Sequence, residues 1–206
     1  MSSRIADPQF VPVMESFHTI QGEGFYTGTS AYFIRLGGCD VGCTWCDVKE
    51  SWDASLHEWR DIKELAQEAK KSGAELVVIT GGEPLMYDLT LLTKEIKSLG
   101  LRTNIETSGA YPLSGDWDWI CFSPKKFKAP LEEFYAVAHE LKVVVFNKHD
   151  TKWASSHAEK MNAASKWYLQ PEWSKAKEMT SLIVDFVKQN PKWNISLQTH
   201  KYMDIP

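Results

Sequence analysis

The chain has 206 residues, 43% of them apolar and 24% charged, with a formal charge of -4. These proportions exclude a disordered or collagen-like chain, and the length suffices for one domain with its own core. The acidic balance and the lack of a polybasic run exclude nucleic acid and anionic lipid as expected partners. The opening "MSSRIADPQF" places Asp and Pro where a signal peptide needs an unbroken apolar stretch, and apolar runs such as "LVVI" are strand-sized. A cytoplasmic protein that does not cross a membrane is expected.

In chain order, "SAYFIRLGG" reads as a strand running into a glycine pair, followed by a cysteine-bearing loop. "DIKELAQEAKKSG" reads as a helix, with Asp61 and Glu64 at capping-box spacing and Gly73 as its stop. "ELVVITGGEP" is then a buried strand ending in a second glycine pair, and a helix over 89–99 stops at Gly100. "LRTNIETSG", "WDWICFSPK", "ELKVVVF", "SKWYLQP" and "NISLQTHK" supply further strands, with helical patterns at about 131–139, 152–163 and 174–189. Strands alternating with helices predict an α/β fold with a parallel sheet. The chain is too short for eight full units, so a partial, open parallel β/α barrel of about six strands is expected. Gly37-Gly38, Gly81-Gly82, Ser108-Gly109, Ser123-Pro124 and Gln170-Pro171 each follow an apolar run, at the carboxyl end of a strand, where such folds carry their sites.

Within "GGCDVGCTWCD", Cys39, Cys43 and Cys46 are separated by three and two residues; the remaining cysteine, Cys121, lies inside the strand "WICF". Clustered thiols in a reducing compartment point to a metal or redox group rather than to disulfides. Structural zinc prefers four ligands, for which Cys121, His18 and His57 are candidates. A 4Fe-4S cluster held by three thiolates leaves one iron open as a reaction site, and Gly37, Gly38 and Gly42 suit a loop wrapped closely round it. Cys121 reads as an inert buried thiol.

"CDVGCTWC" resembles the cluster motif of the radical S-adenosylmethionine superfamily, and "ITGGEP" resembles the motif that holds the cofactor's amino group. The strings "FHTIQGEGFYTG", "FIRLGGCDVGCTWCD", "VITGGEPLM", "ETSG", "SPK", "LQP" and "QTHKYMDIP" extend the resemblance over nearly the whole chain, to the members of that superfamily that contract a pterin ring. The resemblance implies a single radical SAM domain over 1–206, with an N-terminal substrate-binding segment, 1–30, and a C-terminal tail closing the site. It implies a lyase that converts 6-carboxy-5,6,7,8-tetrahydropterin to a 7-deazapurine with loss of ammonia, using a 4Fe-4S cluster on Cys39, Cys43 and Cys46. It also implies a homodimer and an electron donor such as flavodoxin or ferredoxin.

For S-adenosylmethionine, the resemblance implies contacts from Trp45, Cys46, Asp47, Gly82, Glu83, Ser123, Pro124, Lys125, Gln170, Pro171, Glu172 and Trp173. For the pterin it implies Ile20, Gln21, Gly22, Glu23, Arg35, Thr80 and Pro206. Glu106 and Ser108 in "ETSG" are weaker candidates for cofactor contact. A Gln amide can read a donor and acceptor edge, and an Arg can grip a carboxylate with two bonds. The plain alternatives are a glycine-rich turn for "QGEG", a strand-face salt bridge for Arg35 and a solvated basic loop for "SPKKFK". Position 48, where many relatives place a Thr that helps bind Mg2+, carries Val48, which has no oxygen to offer. The end "THKYMDIP" is too polar and short for another strand, and the resemblance sends Pro206 to the substrate, with Pro limiting the entropy lost on ordering it. Two other readings stand beside this one: an activase that makes a glycyl radical on a partner protein, and a non-catalytic zinc or iron-sulfur binding module.

Overall fold

The computed structural model describes residues 7–206. The first six residues, part of the 1–30 segment and of the stretch read above for a leader, lie outside the described residues.

The chain begins with an antiparallel pair, β1 (Phe10–Ile20) and β2 (Ser30–Leu36), and a short third strand, β3 (Glu58–Asp61), lies along the outer edge of β1. From β2 onward the strands are parallel: β4 (Leu76–Gly81), β5 (Arg102–Thr107), β6 (Trp119–Phe122), β7 (Glu140–Val145), β8 (Lys166–Pro171) and β9 (Trp193–Ile195). The nine-stranded sheet runs β3-β1-β2-β4-β5-β6-β7-β8-β9 and does not close. Its parallel part is the open β/α barrel that the alternating pattern predicts.

The helices form where the apolar spacing places them. In α1 (Ile62–Ser72) the Asp61 carboxylate accepts from the Lys63 and Glu64 amides, and Gly73 ends the helix at φ 82, a conformation that costs a residue with a β-carbon. The helices α2 (Thr90–Ser98), α3 (Glu133–Val137), α4 (Asp150–Ala158) and α5 (Ala176–Gln189) follow, and the "QTHKYM" stretch folds as a short helix, α6 (Thr199–Met203). Among the described residues no helix is long and apolar enough to cross a membrane.

The two faces of the sheet are unlike. The outer face packs Ile34, Leu36, Ile79, Ile105, Phe122 and Leu141 against the helices in one apolar core. The inner face has only a small apolar cluster, Ala31, Phe33, Leu76 and Val78, beneath Phe17 and Tyr26. Elsewhere it carries buried polar groups, among them Asn104, Glu140, Lys142 and Gln170. A buried charge is tolerated only with partners, so this polarity marks the lumen as the working face.

Candidate active site

The loops at the carboxyl ends of the parallel strands surround a cavity of about 420 Å³. The loop after β2 is anchored by its backbone: Gly38 N–H donates to the Ser51 carbonyl (2.6 Å) and Cys39 N–H to that of Trp52 (3.1 Å). Gly38 has φ 98, and a β-carbon there would strike the Tyr87 hydroxyl, which donates to the Gly37 carbonyl at 2.8 Å. Cys39, Cys43 and Cys46 are free thiols, and all three line the cavity; Cys121 is buried and does not. Burial pushes the Cys43 thiol up to about 11 despite the charge of Lys125 nearby, so binding iron must displace its proton.

Among the described residues no three Cys, His, Asp or Glu side chains gather closely enough for a single metal ion. His18 Nε2 instead meets Ser30 Oγ (2.8 Å) and His57 Nε2 the Glu50 carbonyl (2.8 Å), and none of His18, His57 and Cys121 lines the cavity with the three thiols. Three thiols spread along one cavity wall suit a cluster, whose irons each take their own thiolate.

The turn after β4 is stitched to this loop. Gly82 N–H donates to the Leu36 carbonyl (3.0 Å) and Glu83 N–H to that of Gly38 (2.9 Å). Glu83 is buried, and its carboxylate accepts from the Thr107 hydroxyl (2.6 Å), the Ser108 amide (2.8 Å) and hydroxyl (2.5 Å), and the Leu85 amide (3.2 Å). Those four bonds fill the lone-pair directions of a carboxylate, so here Glu83 braces "ETSG" against "GGEP". Lys125 folds back onto Ser123, donating to its carbonyl (2.7 Å) and Oγ (2.6 Å), and burial lowers its pKa. Gln170 accepts from the Ser196 hydroxyl at 2.7 Å, and Glu172 takes the Ser174 amide and hydroxyl. Trp45, Asp47, Val48, Pro171 and Trp173 complete this side, whereas Pro124 is buried outside the lining.

Also lining the cavity, Ile20, Gln21, Gly22 and Glu23 leave the end of β1, and Arg35 and Thr80 stand side by side in the β2–β4 register. Arg35 meets Glu15 through Nε at 2.6 Å, the expected strand-face pair, while its two Nη nitrogens make no protein hydrogen bond among the described residues. The tail closes over this side. Thr199 donates its amide and hydroxyl to the Gly22 carbonyl (2.9 and 3.0 Å), Lys201 pairs with Asp47 (2.8 Å), and Thr19 Oγ1 reaches the Pro206 carbonyl (3.2 Å).

The Radical SAM superfamily profile matches residues 33–121, the span from β2 to β6. The 7-carboxy-7-deazaguanine synthase of Flavobacterium psychrophilum is 57% identical over 96% of this chain and 94% of its own length. That of Synechocystis sp. is 47% identical over 94% of this chain and 93% of its own. A crystal structure of QueE from Escherichia coli superposes with a TM-score of 0.80 at 30% identity, covering 91% of this chain and 93% of that one. The chain belongs to the 7-carboxy-7-deazaguanine synthase family. It is therefore a radical SAM enzyme that uses S-adenosylmethionine, a 4Fe-4S cluster and a reductant on a small-molecule substrate. Neither the activase nor the binding-module reading is favoured by these relatives.

Sequence reasoning toward a 7-carboxy-7-deazaguanine synthase missed part of the lining. Lys142, Gln198 and His200 all reach the cavity. Lys142 looks in sequence like the polar member of an alternating strand, and only the curl of the sheet turns that face inward.

Proposed function

We propose that this chain converts 6-carboxy-5,6,7,8-tetrahydropterin to 7-carboxy-7-deazaguanine with loss of ammonia, a step toward queuosine and other 7-deazapurines. The observation that carries the reading is one cavity lined both by three free thiols and by Gln21, Glu23, Arg35 and Glu106, which bear the donors and acceptors a carboxylated pterin needs. When bound on Cys39, Cys43 and Cys46, the cluster supplies one electron that cleaves S-adenosylmethionine and starts radical chemistry. The chain's own residues place and shelter. The Gly82 backbone and the turns at Ser123–Lys125 and Gln170–Trp173 border the cofactor side. The free end of Arg35 takes the substrate carboxylate, with Thr80 beside it, and Pro206 borders the pterin. Over a single domain, the 1–30 segment and the C-terminal tail close the site; a homodimer, a cytoplasmic setting and flavodoxin or ferredoxin as donor follow from the family resemblance. Mass detection of 7-carboxy-7-deazaguanine after anaerobic incubation with cofactor, reductant and carboxypterin tests the reading; cofactor cleavage without that product overturns it.

Magnesium fits these residues poorly. A hard cation demands oxygen ligands; Val48 offers none and the Asp47 carboxylate is paired with Lys201. Chelating Mg2+ is therefore expected to change the rate by less than about twofold, and Val48→Thr to gain a response, measured as turnover with and without added Mg2+. A strong requirement in the native chain would count against this.

A further inference from the structure

Lys142 is buried in the lumen, its ammonium 2.5 Å from Glu23 and 3.3 Å from Glu106, with a side chain 4% exposed. The two carboxylates come from opposite parts of the fold. Glu23 lies in the turn after β1 and is also held by Gln198 Nε2 (2.9 Å), while Glu106 sits on β5 and accepts from Gln21 Nε2 (3.0 Å). Gln21 Oε1 in turn accepts the Glu23 amide at 3.0 Å. The cation thus joins a ring of groups from the amino-terminal turn, β5, β7 and the tail, and Glu23, Glu106 and Lys142 all line the cavity.

We infer that Lys142 is a positioning residue for the substrate: it holds Glu23 and Glu106 as ionised, oriented acceptors for the donor edge of the pterin. The inference rests on the function proposed above. Two carboxylates facing one cavity repel and desolvate each other, and without a cation between them one takes up a proton. A pterin's 2-amino group and ring N–H donate, so a protonated carboxyl loses the acceptor it needs.

The surrounding charges agree. Burial opposes the charge on Glu23, yet the Lys142 ammonium outweighs it and holds the carboxyl well below its usual range. Burial raises the Glu140 carboxyl, two residues before Lys142 on the same face of β7, and its Oε2 accepts from Trp119 Nε1 (2.9 Å) and the Phe25 amide (3.3 Å), so Glu140 does not compete with Glu23 and Glu106 for the ammonium. The other titratable groups facing this cluster are the buried Cys121, whose thiol burial pushes up, Tyr168, raised by burial, Lys125, and His200, lowered by burial. Thiol, phenol and imidazole are neutral near pH 7, leaving Lys142 as the cation bonded to both carboxylates.

The test is equilibrium binding of carboxypterin to the oxidised, cluster-loaded enzyme with S-adenosylmethionine, from pH 6 to 8.5. Lys142→Met is expected to weaken binding more than about tenfold and increasingly as pH falls, because its carboxylates protonate without the ammonium. The ratio to the native chain cancels the ligand's own titration. Lys142→Arg keeps the charge, so its ratio stays flat with pH. Iron content and cofactor binding stay within about twofold in both variants, which a merely structural lysine would not allow. If Lys142→Met does not fold, Glu23→Gln/Lys142→Met, which removes one charge of each sign, decides: binding within threefold of native overturns the inference. So does a pH-independent ratio in Lys142→Met. If the native chain fails to bind carboxypterin at all, it is the proposed function that falls.

Discussion

Cys39→Ala, Cys43→Ala and Cys46→Ala are each expected to abolish iron-sulfur loading and turnover, whereas Cys121→Ala leaves both intact. The three thiols share one cavity wall on a loop whose backbone is tied to Ser51 and Trp52, so losing one leaves an iron without its ligand and no neighbouring group to replace it. His57, the nearest imidazole in sequence, is committed to the Glu50 carbonyl and covers Gly37. Cys121 faces Glu106 and Glu140 across neighbouring strands, away from the loop, and removing its sulfur trims a small buried group. For that change a stability loss of about 1 kcal/mol is expected, with no spectroscopic consequence. Iron and sulfide analysis with visible absorbance after anaerobic reconstitution is the check. If Cys121→Ala lost iron, or any loop variant kept a full complement, the assignment of ligands would be wrong.

The parallel part of the fold was legible because its signals are local. Apolar runs such as "LVVI" ending in glycine or proline fix strand ends, and Asp61 and Gly73 mark the limits of α1 within a residue. Two elements were not legible. β1 carries Pro12 and mixes exposed and half-buried residues along its second half, since it turns from a covered edge to a cavity wall. β3 is four residues, "EWRD", paired only with β1, and nothing in so polar a string reads as a strand until its partner is known. The site divides similarly. Motif residues at strand ends converge as the spacing implied, but Lys142 acquires meaning from Glu23 and Glu106, which lie 119 and 36 positions away. Glu83 stands between the two. Its motif points to the cofactor, and it does line the cavity, but its bonds to Thr107 and Ser108, 24 and 25 positions on, are ones that the motif alone does not announce.

Gly82→Ala is expected to cost more than its single methyl suggests. Gly82 needs no unusual backbone conformation, so the constraint is space alone. A β-carbon at this position would strike the Gly38 carbonyl oxygen and lie 2.8 Å from Cys39 Cβ. Neither neighbour can yield cheaply. The Gly38 carbonyl accepts the Glu83 amide, and Cys39 is fixed by its own bond to Trp52. The methyl must therefore push the turn after β4 away from the cysteine loop, breaking the close approach that brings the two walls together. Overpacking of this kind costs about 1 to 3 kcal/mol, and since the strain falls between the cluster ligand and the cofactor wall, cofactor affinity should drop roughly tenfold to a hundredfold. Gly100→Ala is the control. Gly100 has φ 75 with nothing within 4 Å of an added β-carbon, and it lies after α2, outside the cavity lining. Its substitution strains the backbone, lowering global stability by about 1 kcal/mol, but leaves the site alone. Equilibrium binding of S-adenosylmethionine to reconstituted protein, set beside urea midpoints for both variants, separates the two effects. Equal cofactor affinity in Gly82→Ala and Gly100→Ala would show that the walls tolerate the extra methyl and that the contact between the two loops does not shape the cofactor site.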